Sequence, residues 1–286
     1  MHRTIHFIAG LPRSGSTLLA ALLRQNPLLH ASMSSPLAVL CERILPVMGS
    51  GEYATLFDDE RRRGILSGLI DSYHDAGDAA LVRQPQVVFD TNRAWCAHMR
   101  VLADVRPDAF VIACVRDPVW IIDSFERLFR TNTYLVSKLH GIPNSGTVFD
   151  RVEQLMAVTG AFGAAWQALQ DAYYGEFAHR LILVDYDELV AEPLRVLAVL
   201  YDLLELAPFT HDPEALDDMA DAGFDAALNT PGLHRVRRRV QQIHRRTVLP
   251  PQIVKRLADT MFWRGTGAGA AQNPGGAFII APDEVE

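Results

Sequence analysis

"GLPRSGSTLL", residues 10–19, follows directly on the apolar run TIHFIA of residues 4–9. The glycines at 10 and 15, with Ser16 and Thr17 behind them, have the spacing of a nucleotide-phosphate loop, G-x-x-x-x-G-K-[ST]. A strand that enters such a loop and leaves it as a helix makes an anion cradle. Glycine lets the backbone approach closely, and the first-turn N–H groups and the helix dipole face the ligand. Ser14, Ser16 and Thr17 add hydroxyl donors. The loop departs from the pattern at one place: Ser16 stands where the lysine belongs, and the nearest cation is Arg13. Only two lysines, Lys138 and Lys255, occur in the sequence, so cationic work near the loop falls to arginine. Kinases and nucleotide hydrolases use that lysine on the β- and γ-phosphates and an acid for Mg²⁺. The loop therefore suits an anion with fewer linked phosphates. A plain glycine turn with a serine cap would share these residues, so the reading depends on what the rest of the chain supplies.

Outward from the loop, PQVVFDTN (85–92), AFVIACVRD (109–117) and RLILVDYDELV (180–190) read as further strands. Helical patterns cover 16–26, 61–74, 152–174 and 194–206. Strongly apolar strands alternating with helices predict an α/β fold, a three-layer P-loop-like domain whose central parallel sheet is flanked by helices. That domain is expected to span 1–264. The glycine- and alanine-rich GTGAGAAQNPGG (265–276) opens an expected flexible C-terminal tail, 265–286. DDERRR (58–63) reads as a solvated helix end.

The 286 residues are 49% hydrophobic and 21% charged, an ordinary globular composition. No run approaches the roughly 18–20 apolar residues of a membrane span, and no signal peptide is read at the start. The three scattered cysteines suit reduced thiols, which together predict a cytoplasmic protein without a membrane partner. A net charge of −7 argues against a nucleic-acid partner. Against that balance, HRVRRRVQQIHRR (234–246) holds six arginines and no acid, either a local anion site or a solvated basic helix face. No histidine pairs with cysteine or carboxylate at ligand spacing, so no metal is expected. A serine-hydrolase elbow around Ser14 fails because its preceding glycine is missing.

PRSGSTLL (12–19) resembles the 5′-phosphosulfate loop of sulfotransferases that use 3′-phosphoadenosine 5′-phosphosulfate (PAPS), most nearly the branch containing protein-tyrosine sulfotransferases. CVRDPVWIIDSFERL (114–128) resembles that family's 3′-phosphate motif, an arginine at a strand end and a serine eight residues on, matched here by Arg116 and Ser124. A guanidinium offers phosphate a planar fork, and a serine hydroxyl a further donor. VDYDELVAEP (184–193) resembles a segment where a tyrosine near the nucleotide is common, here Tyr186. LHRVRRRV (233–240) takes the place of the loop that folds over PAPS, which assigns Arg235 and Arg237 to a ligand of roughly four negative charges.

The resemblance implies in-line sulfuryl transfer from PAPS to an acceptor hydroxyl, with tyrosine sulfation or a small-molecule alcohol or phenol as the alternatives. Arg13 would stabilise the leaving oxygen, helped by the loop N–H groups, Ser16 and Thr17, with Ser14 and Gly15 among the residues that hold the nucleotide. For the general base the pattern breaks. The tyrosine branch has a glutamate after the first helix, but ASMSSPL (31–37) contains no carboxylate. Relatives with small acceptors have a histidine after the second strand, where FDTNRAW (89–95) offers Asp90. Asp90 is thus the expected catalytic base, or else it fixes Arg93 or caps the strand, and Glu42 is next in line. Oligomeric state is open, a homodimer being one option. A small-molecule or nucleotide kinase on the same loop, and a non-catalytic module binding the desulfated nucleotide PAP, remain as other classes.

Overall fold

The computed structural model describes residues 3–78, 86–132, 146–218, 222–264, 273 and 275–282. In chain order the elements are β1 (Thr4–Gly10), α1 (Ser16–Leu23), β2 (Leu29–Ala31), α2 (Leu37–Gly49), α3 (Asp59–Asp78), β3 (Val87–Thr91) and α4 (Met99–Val105). Then follow β4 (Val111–Val115), α5 (Pro118–Thr131), α6 (Val148–Met156), α7 (Gly163–Tyr174), β5 (Leu181–Asp185) and α8 (Tyr186–Ala191). The chain continues through α9 (Pro193–Leu203), α10 (Ala222–Ala227), α11 (Pro251–Leu257) and β6 (Phe278–Ile280).

All strands lie parallel in one six-stranded sheet of order β2-β3-β1-β4-β5-β6. Successive side chains of a strand point to opposite faces, and the sheet is covered on both. Phe7, Val88, Val111, Ala113, Leu181 and Leu183 pack on one side with α2 to α7 and α11. Ile8, Phe89, Ile112, Cys114, Ile182 and Val184 pack on the other with α1, α8 and α9. This is the expected three-layer α/β architecture. Burial on both faces explains why these strands read as continuous apolar runs.

Three details depart from expectation. The segment 152–174 is two helices, because the backbone folds back at Gly160, where a Cβ would meet the carbonyl of Gln154 at 2.1 Å. The short β2 carries no strand pattern of its own and is set by pairing with β3. Phe278–Ile280 pair with β5 as the edge strand, a correction to the flexible tail expected over 265–286. The apolar F-I-I run outweighs the glycines before it. Residues 265–272, 274 and 283–286 of that expected tail, and Lys138, lie outside the described residues. Among the described residues no helix is long and apolar enough to cross a membrane.

Strand order reverses between β1 and β4. The chain leaves β1 into α1 on one face and leaves β4 into α5 on the other. The two connections diverge, and a crevice opens at the carboxyl ends of the strands, the place where open parallel sheets bind ligands.

Candidate active site

β1 ends at Gly10, with φ +104°, pressed so close to β4 that a Cβ would lie 2.2 Å from the Cys114 carbonyl oxygen. That oxygen accepts from the Leu11 N–H at 2.9 Å and the Ser14 hydroxyl at 2.7 Å. The Ser14 hydroxyl also approaches the Leu11 carbonyl and is completely buried. Its expected place as a ligand donor is therefore corrected: its side chain ties the loop to the sheet and does not line the crevice. Gly15 caps α1 with φ +96°, and its missing Cβ leaves room for the Tyr186 ring, which would otherwise sit 2.9 Å away. No side chain caps α1, so the N–H groups of its first residues, Ser16 and Thr17, are left for a ligand.

The crevice has a volume of ≈ 660 Å³, and Arg13, Gly15, Ser16, Thr17, Arg116, Ser124, Tyr186, Arg235 and Arg237 all line it. The two resemblance motifs meet there. Arg13 Nε donates to Ser124 Oγ at 3.0 Å, and an Arg116 terminal nitrogen donates to the Arg13 carbonyl at 3.3 Å. Arg13 holds a left-handed backbone, φ +60°, and its guanidinium also donates to the Leu233 carbonyl. Burial, then the neighbouring Arg116 cation, lowers the Arg13 pKa to about 10. The Arg116 guanidinium lies 3.9 Å from the centre of the Tyr186 ring. Burial lowers its pKa too, while Tyr186 and Asp187 oppose the shift. Its Nε is buried and has no hydrogen-bond partner among the described residues. A buried guanidinium N–H left unpaired costs free energy in the free protein, and an anion in the crevice would satisfy it.

Residues 229–248 form a strap without regular structure that lines the crevice along 233–237 and 239–245. It is stitched down by Val240 N–H to the Pro213 carbonyl, 2.8 Å, and by Val236 N–H to Asp218, 3.2 Å. At its far end the fully buried Asp123 of α5 accepts from Val248 N–H at 2.7 Å and Thr247 Oγ1 at 3.1 Å. The same carboxylate pairs with Arg245 at 2.9 Å and Arg127 at 2.8 Å. Arg239 and Arg245 line the crevice as well, from the basic stretch that the sequence singled out.

Asp90 requires a further correction. Its carboxylate is completely buried, accepts from Ser35 Oγ at 2.8 Å and Trp95 Nε1 at 2.7 Å, and lies 3.2 Å from His74 Nε2. It does not line the crevice, whereas Thr91, Asn92 and Arg93 do. Alternation along β3 turns position 90 into the layer beneath α3, so it cannot reach an acceptor. Glu42, 3.2 Å from His98, does not line the crevice either. Sequence reasoning missed His234, which lines the crevice beside Arg13 and pairs with Asp225. No motif spacing marks that pair. Among the described residues no group of three or more His, Cys, Asp or Glu could hold a metal ion.

Residues 6–211 match the family model described as "Sulfotransferase family". The chain belongs to the sulfotransferase family. No curated protein matches it. Solved structures similar to this sulfotransferase-family chain include a sulfotransferase domain from the curacin biosynthetic pathway, at 21% identity and TM-score 0.48 over 73% of this chain and 76% of that one. Another is the sulfotransferase domain of the Synechococcus PCC 7002 olefin synthase, at 21% identity and TM-score 0.44, with coverages of 73% and 76%. A third is a sulfotransferase from Alicyclobacillus acidocaldarius, at 17% identity and TM-score 0.48, covering 74% and 85%. The strap lies beyond the matched span, so its part in the site rests on its contacts.

Proposed function

We propose that this sulfotransferase-family protein moves a sulfuryl group from PAPS to an acceptor hydroxyl, of a phenol such as a peptide tyrosine or of a small-molecule alcohol. The observation that carries the reading is the junction of the two donor sets, with Arg13 bonded to Ser124 at 3.0 Å and Arg116 to the Arg13 backbone at 3.3 Å. A ligand with phosphate at both ends of one nucleoside would engage both. The unpaired Arg116 Nε supports the fit.

In this reading Arg116 and Ser124 hold the 3′-phosphate, and Tyr186 keeps the Arg116 fork flat and in place. The first N–H groups of α1, with Ser16 and Thr17, hold the 5′ end. Arg13 sits where charge develops on the leaving phosphate oxygen. Arg235, Arg237, Arg239 and Arg245 neutralise the ligand from above, and the strap limits water in the crevice. The reading requires no metal. The free, buried Cys41, Cys96 and Cys114 support a reducing, cytoplasmic setting.

The test is a thermal-shift comparison of PAP with ATP–Mg²⁺. PAP at a hundred times its Kd should stabilise the fold by about 2.7 kcal/mol, with no effect of ATP–Mg²⁺. Stabilisation by ATP–Mg²⁺ alone would replace this reading with a kinase.

A further inference from the structure

Among the described residues, three crevice-lining groups can accept a proton: Asp187, His234 and His244. Asp187 is tied to Arg264 at 2.8 Å and lies on the Arg116 side of the crevice. His244 is exposed, and no hydrogen bond among the described residues orients its ring. His234 differs from both. Its Nδ1 lies 2.6 Å from Asp225 Oδ1, and its own backbone N–H donates to Asp225 Oδ2 at 3.1 Å. The Asp225 carboxylate is 4% exposed, and the Phe224 ring stands edge-on to the imidazole at 5.4 Å. A carboxylate on Nδ1 fixes that nitrogen as the N–H, which leaves the Nε2 lone pair as the acceptor.

We propose that His234 is the general base of the transfer and that Asp225 is its positioning residue. The proposal rests on the sulfuryl-transfer reading above. The Arg13 guanidinium bonds to the carbonyl of Leu233, the residue before His234. Arg13 and His234 line the same crevice, near enough for the Arg13 cation to act on the imidazole. As the acceptor oxygen forms its bond to sulfur, the acceptor proton passes to His234 Nε2. The bond from sulfur to the bridging oxygen breaks, and its electron pair stays on the 5′-phosphate of PAP beside Arg13. The products are a sulfate ester, PAP and a proton released from His234 to solvent.

The surroundings suit the task. Burial and the Arg13 and Arg93 cations hold the His234 pKa below its ordinary value, against the pull of Asp225. The imidazole is thus neutral and able to accept a proton near neutral pH. The assignment also supplies the base that neither Asp90 nor Glu42 can be.

The experiment uses the full chain with PAPS, taking water and a panel of phenols and alkyl alcohols as acceptors, and PAP calorimetry alongside. The wild type should lose rate only below about 6.5, the ordinary imidazole value, because burial holds the His234 pKa beneath it. His234→Gln should lower the rate by about 10²- to 10⁴-fold and remove that acid limb. Its affinity for PAP should stay within about threefold of wild type, a split that general-base assistance predicts and lost binding does not. Asp225→Asn should lower the rate by about tenfold or more, again without loss of PAP affinity. A His234→Gln protein with wild-type rate or an intact acid limb would overturn the proposal. So would a PAP affinity that falls in step with the rate, which would make His234 a binding residue. Failure of the wild type to bind PAP is a separate outcome, and it would remove the sulfuryl-transfer reading together with the role of His234.

Discussion

Arg116→Met isolates the contact on which nucleotide recognition depends. Methionine keeps an unbranched stem against the Tyr186 ring and removes the planar fork. In the free protein that fork has an unpaired Nε, one bond of 3.3 Å to the Arg13 carbonyl and a ring contact of 3.9 Å. The ring contact contributes about 0.5–2 kcal/mol, part of it offset when a half-buried cation no longer has to be desolvated. Melting temperature should therefore change little. Bound to phosphate, each charge-assisted hydrogen bond is worth about 1.5–3 kcal/mol. Losing two of them amounts to about 3–6 kcal/mol, or about 10²- to 10⁴-fold in the Kd for PAP. Calorimetry with PAP reads this directly. Arg116→Lys keeps the charge without the fork and should fall between the two. A Kd for Arg116→Met within threefold of wild type, in a protein of native circular dichroism, would refute the reasoning.

Arg13→Ala should slow transfer by about 10²- to 10³-fold with folding intact, measured as PAP released from PAPS. Gly15→Ala places a Cβ 2.9 Å from the Tyr186 ring on a backbone at φ +96°. It should cost about 1–3 kcal/mol in urea unfolding and weaken PAP binding by disturbing the Arg116 stack. Asp123→Asn removes the carboxylate shared by Arg127, Arg245, Thr247 and Val248. Trypsin should then cut within the arginine-rich 235–246 faster than in the wild type, with loss of PAP affinity. His6 makes the stability depend on pH, because burial lowers its pKa from 6.5 to about 4. Its Nδ1 accepts from the Phe110 N–H at 3.2 Å, and it must stay neutral in the fold. Below pH 6.5 the unfolded chain binds a proton that the folded chain refuses. Stability from this group is full above pH 6.5 and is lost as the pH falls toward 4, by about 3 kcal/mol. Between pH 7 and pH 4, urea unfolding should show a loss about 3 kcal/mol smaller in His6→Gln than in the wild type.

The sheet was legible where strands are buried on both faces: β1, β3, β4 and β5 are apolar runs, and β1 leads straight into a glycine loop. β2 and β6, three residues each, are set by pairing with their neighbours, and the only local sign is the apolar F-I-I run of β6 behind its glycine-rich stretch. The loop and the Arg116–Ser124 motif were legible because their spacing is short and their geometry local. Side-chain direction was harder to read. Ser14 and Asp90 have suitable chemistry at suitable positions, but one turns back to the Cys114 carbonyl and the other into the layer under α3. The His234–Asp225 pair was hidden for a different reason. Its partners come together through α10 and the following turn, a fold-level proximity with no fixed sequence spacing.

The most direct test of the account is the structure of the PAP complex. It should show the 3′-phosphate on Arg116 and Ser124, with Arg116 Nε now paired, and the 5′-phosphate on residues 13–17. A nucleotide bound elsewhere, or one lying in the crevice with Arg116 Nε still unpaired, would contradict it.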